Sequence, residues 1–127
     1  MFKSLGRERM DNRQKGTRGE KLAKDFLQQQ GYQIKEQNFW SRYGEIDIIA
    51  REDDYLVFVE VKWTTENPEV RPEEQISYQK QCHLEKVANY YLMLHNLESN
   101  CRFDVVAISQ LGQGNEIRLI KNAFLVG

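Results

Sequence analysis

The run Tyr55-Leu56-Val57-Phe58-Val59-Glu60-Val61-Lys62-Trp63 decides how the rest of the chain is read. It is dense in β-branched and aromatic side chains, which fit a pleated surface, so it is predicted as a strand. It is apolar on both sides of Glu60, which suits a central strand better than an edge. Alternation puts Val57, Val59 and Val61 on one face and Phe58, Glu60 and Lys62 on the other. Two charges therefore stand about 7 Å apart along an otherwise apolar strand.

Upstream, Gly44 to Ala50 reads as a strand, with Asp53-Asp54 turning the chain into Tyr55. Tyr32 to Phe39 reads as a strand before it. From Thr17 a helix is predicted, with Ala23, Phe26, Leu27 and Gln30 on one stripe and Gly31 as its stop. Downstream, the polar segment Thr64 to Pro72 is a loop, closed by the only prolines, Pro68 and Pro72. A long helix is predicted from Glu73 to Asn96, its period carried by Ile76, Leu84, Val87, Ala88, Tyr91, Leu92 and His95. Asn100 to Ile108 is a fourth strand, Gly112 to Asn115 a turn, and Glu116 to Ile120 a fifth strand. Helix, three strands, helix and two strands make an α/β fold with a mixed central sheet flanked by helices.

The chain has 127 residues, 40% of them apolar, with six Phe, six Tyr and two Trp. That suffices for one packed domain and argues against disorder. No run of about 18 apolar residues suggests a membrane span, and the basic N-terminus has no apolar stretch behind it to make a secretory signal. Cys82 and Cys101 are too few for a disulfide framework, so reduced thiols and a cytoplasmic location are expected. The net charge of −1 is uninformative, but residues 1–18 carry Lys3, Arg7, Arg9, Arg13, Lys15 and Arg18 against Glu8 and Asp11. Residues 1–15 are therefore read as a basic arm ahead of a single domain at 16–127. The arm, with Arg18, would contact phosphates or remain a solvated tail.

Charge placed within apolar strands is the informative feature. Twelve residues separate Asp47 from Glu60, enough for a hairpin that brings the two carboxylates together. Buried without compensation, converging carboxylates cost several kcal/mol, and a hard cation such as Mg²⁺ or Mn²⁺ removes the cost. Lys62 beside them would serve an attacking water and offset charge growing on a phosphate. A solvated sheet face with Asp47 paired to Lys62 is the plain alternative. Glu20 shares the apolar stripe of the first helix and is either a further metal ligand or the Glu of a capping box, Thr17-Arg18-Gly19-Glu20. Glu45 is either a ligand or an exposed carboxylate. Lys80 is either a phosphate contact or a lysine whose stem lies on apolar surface. Tyr90 and Tyr91 read as packing residues, His95 as a core or boundary residue, and His83 has no partner at metal-ligand spacing. Asp104 has Arg102 and Lys121 as candidate partners, or would line the site.

Asp47 followed by Glu60-Val61-Lys62 resembles the PD-(D/E)xK nuclease superfamily, with Ile46 in place of its proline. The wider pattern is similar to the YraN-like family of predicted endonucleases. It is carried by Gly16-Thr17-Arg18-Gly19-Glu20, Gly44 to Ala50, Val57 to Lys62, Lys80-Gln81 and Arg102 to Val106. The resemblance runs from about residue 16 to the end. It implies a restriction-endonuclease-like αβββαβ core similar to that of archaeal-type Holliday junction resolvases. It further implies Asp47 and Glu60 as metal ligands, Lys62 as the catalytic lysine, and Glu20 as a helix glutamate brought to the metal. Two basic residues usual in the family are absent, at Gln37 and in Trp63-Thr64-Thr65.

The expected activity is therefore metal-dependent hydrolysis of DNA, at branched or repair structures. The alternative is a catalytically weak module that binds nucleic acid or a partner on the same fold. A homodimer would suit a four-way junction, though no residue requires one.

Overall fold

The computed structural model describes residues 12–63, 76–111 and 114–125. The elements are α1 (Asn12–Gln29), β1 (Gln33–Ser41), β2 (Gly44–Glu52), β3 (Tyr55–Trp63), α2 (Tyr78–Leu94), β4 (Asn100–Leu111) and β5 (Gly114–Ile120). The five strands form one sheet in the order β1-β2-β3-β4-β5. Its pairs are antiparallel except β3 with β4, which run parallel around the crossover through α2. This is the mixed sheet flanked by helices expected from the element order.

β3 occupies the centre, and its Leu56, Val57, Phe58 and Val59 are all buried because both faces of the sheet are covered. On one face α1 sets Ala23 and Leu27 on Ile48, Val57, Val59, Val106 and Ile108. On the other, α2 sets Leu84, Val87, Ala88 and Tyr91 on Ile46, Ile49, Leu56 and Phe58. Val61 and Trp63 pack with the α1 cluster. Glu60 and Lys62, at alternate positions, therefore belong to the α2 face.

Several boundaries differ from those read in the sequence. Helix α1 begins at Asn12, so position 15 falls inside it, while residues 1–11 of the expected arm lie outside the described residues. Within α1 the inward stripe is Gly19, Ala23 and Leu27, whereas Gln30 is exposed past the helix end. Helix α2 begins at Tyr78, because Ser77 caps it by accepting from the Lys80 N–H at 3.1 Å. The expected loop and the helical residues from Glu73 lie in the undescribed segment 64–75. His95 is not a core residue: it is the exposed C-cap of α2, with its ring 4.3 Å from that of Tyr91. No helix among the described residues is long and apolar enough to cross a membrane.

Candidate metal centre

Pairing between β2 and β3 runs from the turn at Glu52↔Tyr55 only as far as Ile48↔Val59. Beyond that point β2 stays with β1, through Ile46↔Phe39, Glu45↔Trp40 and Gly44↔Ser41, and parts from β3. Alternation also breaks at this point. Ile46 lies in the α2 cluster and Ile48, two residues on, in the α1 cluster. Across from the break Asn38 takes a φ of 54°, a left-handed conformation that Asn tolerates better than most residues. The parted strands leave the Val61 N–H without its ladder partner, and Asp47 supplies one: its Oδ2 accepts that N–H at 2.8 Å.

Four carboxylates meet in this opening. Carboxylate oxygens of Glu20, Glu45 and Asp47 lie within 4.8 Å of one another. Glu60 lies outside that group of three but close enough to Asp47 for its charge to act on the Asp47 carboxyl. Glu20 arrives from α1 on one side of the sheet and Glu60 from the α2 side, which is feasible only at the open end of the strands. Thr17 lies inside α1, so the capping box does not form there; Glu20 instead accepts from Asn38 Nδ2 at 2.7 Å. Burial, and then the charge of Glu60, push the Asp47 carboxyl up to about 7. Burial likewise raises Glu20, with the charges of Asp47 and Glu45 adding to it and the Asn38 bond opposing it.

A cation reaches the carboxylates through an ion pair. Lys80 Nζ, from the first turn of α2, lies 3.6 Å from Glu60 Oε2, so this lysine is paired at the mouth of the site. Lys62 is half-buried two residues after Glu60 on the same strand face, and no ion pair to it is found among the described residues. Arg18 is exposed on α1, two positions before Glu20. Asp104 stays out of the centre: fully buried, it accepts from Tyr32 Oη at 2.7 Å and from Arg102 Nε at 2.8 Å. Lys121 pairs with Glu52 instead, at 2.8 Å.

The donor set is all oxygen and carries up to four negative charges, which fits a hard divalent cation such as Mg²⁺ or Mn²⁺ and excludes a soft one. Two participants escaped the sequence reading. Asn38 gave a faint signal, as an Asn inside a strand. The Val61 N–H gave none, because every backbone carries one.

Residues 19–108 match the family described as "Uncharacterised protein family UPF0102". A UPF0102 protein of Lachnoclostridium phytofermentans is 48% identical over 117 residues, covering 91% of this chain and 96% of the relative. One from Syntrophus aciditrophicus is 45% identical over 114 residues, covering 89% and 90%. One from Caldicellulosiruptor bescii is 46% identical over 119 residues, covering 91% and 100%.

Proposed function

We propose that this chain, which belongs to the UPF0102 family, hydrolyses phosphodiesters of nucleic acid, DNA foremost, as a divalent-metal-dependent endonuclease of PD-(D/E)xK type. The observation that carries the reading is the convergence of Glu20, Glu45, Asp47 and Glu60 where β2 parts from β3. Such crowded negative charge is stable only with protons or a cation to offset it.

Asp47 and Glu60 would hold the ion, with Glu20 and Glu45 completing the oxygen shell. The Val61 N–H fixes the Asp47 carboxylate and Asn38 fixes that of Glu20, so two of the four donors are oriented before any ligand enters. When bound, the ion supplies positive charge that polarises a phosphoryl oxygen. Lys62, on the strand face of Glu60, offsets charge growing on the phosphate and orients the attacking water. Lys80 keeps the Glu60 charge compensated and offers a phosphate contact at the mouth; Arg18 offers another from α1. A cytoplasmic location, with Cys82 and Cys101 as free thiols, belongs to the same reading.

Nicking of DNA by the purified chain with Mg²⁺ or Mn²⁺ tests it. Lys62→Ala should lower the rate by at least 10²-fold while calorimetry still registers the metal. Cleavage that survives Lys62→Ala, or a chain that takes up no metal, would end the proposal. A second reading, a module that binds without cutting, is favoured by the pI of about 6.1 and by Gln37 and Trp63-Thr64-Thr65 standing where basic residues are usual. It predicts nucleic-acid binding indifferent to divalent ions.

A further inference from the structure

The exposed flank of α2 leads away from the carboxylates. Lys80, His83, Lys86 and Tyr90 succeed one another at helical spacing and form one stripe. It begins at the mouth of the site, where Lys80 meets Glu60. It ends about 15 Å along the helix axis, a length spanned by roughly four nucleotides at B-form rise. There the β1–β2 turn brings Tyr43 against the helix, its ring 6.4 Å from that of Tyr90. Tyr43, Lys86, Asn89, Tyr90 and Met93 line a cavity of about 340 Å³, with no acidic side chain in its wall. Arg42 stands over the Tyr43 ring at 4.9 Å and donates from Nη2 to its hydroxyl at 2.7 Å. Glu85 lies on the other flank of the helix, beside Phe103.

Aromatic faces flanked by cations suit a chain of stackable bases on a phosphate backbone. In duplex the bases are already stacked on one another and offer the rings no face. We propose that this surface holds an unpaired stretch of nucleic acid, with bases against Tyr43 and Tyr90 and phosphates along Arg42, Lys86 and Lys80 toward the carboxylates. The proposal rests on the hydrolytic reading for its direction, since it makes the substrate one with a single-stranded segment beside the scissile phosphate. The charge of the stripe and its continuity with the centre favour nucleic acid over a protein partner.

The test is fluorescence anisotropy with a labelled oligo(dT) and a duplex of equal length, without divalent ions, on the full chain. The wild type should bind the single strand more tightly than the duplex. Tyr43→Ala with Tyr90→Ala should weaken oligo(dT) binding about tenfold or more. Tyr43→Phe with Tyr90→Phe should restore it, since the rings stay. Lys86→Glu should weaken it and flatten its salt dependence. Circular dichroism melts confirm that each variant folds. Absence of oligo(dT) binding, equal preference for duplex, or full affinity without the rings would overturn the proposal. So would sedimentation showing that the ring variants lose self-association instead. A wild type that binds oligo(dT) but never cuts would sink the hydrolytic reading alone, and one that cuts while the ring variants bind normally would sink this one alone.

Discussion

Asp47 concentrates the electrostatics of the chain in one side chain. Its carboxyl sits near 7 in the folded state because it is buried and faces Glu60, whereas in the unfolded chain an aspartate titrates near 3.9. A raised carboxyl pKa favours folding while both states are protonated, and that advantage is lost as pH climbs from about 4 through 7. The metal-free chain should thus melt lower at pH 8 than at pH 5. Asp47→Asn removes the charge and keeps a side-chain oxygen to accept the Val61 N–H. At pH 8 without metal this variant should melt above the wild type by on the order of 5 °C, and near it at pH 4. Saturating Mn²⁺ should invert the order, because the ion stabilises only a chain that binds it. Thermal melts of both proteins across pH, with and without Mn²⁺, check this. Parallel profiles would mean that the carboxyl is not held near neutrality.

Helix α1 delivers Glu20 at a distance fixed by its neighbour. A Cβ on Gly19 would fall 2.7 Å from Trp63 Nε1 and 3.4 Å from its Cε2, so only a hydrogen fits between the helix and the indole. Gly19→Ala brings two opposing effects. Helix propensity favours Ala by up to about 1 kcal/mol, while overpacking a closed contact costs about 1–3 kcal/mol. The second should win, because a ring packed in the α1 cluster cannot swing aside as a flexible chain end can. Urea titration should give a net loss on the order of 1 kcal/mol. Calorimetry should show weaker metal uptake as Glu20 is carried outward. A stabilised Gly19→Ala variant would show instead that the helix has room to move.

At the scale of the molecule, two networks of charged side chains can be distinguished among the described residues. One is the carboxylate opening. The other ties the far end of the sheet: Asp104 accepts from Tyr32, Arg102 and the Asn122 N–H, while Arg102 and Lys121 both reach Glu52. Every charge there has a partner. The hydrogen bond to Asp104 raises the Arg102 pKa further, and burial raises that of Tyr32. Asp104→Ala would leave an Arg102 side chain only 12% exposed short of one carboxylate, at about 3–5 kcal/mol. Denaturant midpoints should fall accordingly, while the remaining folded molecules take up metal normally. Loss of metal uptake in a folded Asp104→Ala chain would place this network in the site after all.

Much of this was legible in the residues. The order of elements and the central place of β3 followed from alternation and connection lengths, and the approach of Asp47 to Glu60 from the hairpin length alone, because period and loop length are local properties. The helix ends were less legible: the cap at Ser77 and the earlier start of α1 depend on which competing polar residues engage the backbone. Asp104 could not be assigned, since both Arg102, two residues before it, and the more distant Lys121 could pair with it, and only packing gave Arg102 to it and Lys121 to Glu52.

The sequence by itself determined which carboxylates exist and which strands carry them. Tertiary structure alone decided that β2 leaves β3 at Asp47, so that Glu20 and Glu60 enter one opening from opposite faces of the sheet. The parting is a balance between two ladders, β1 with β2 and β2 with β3, and neither strand encodes that balance until all three are packed between α1 and α2.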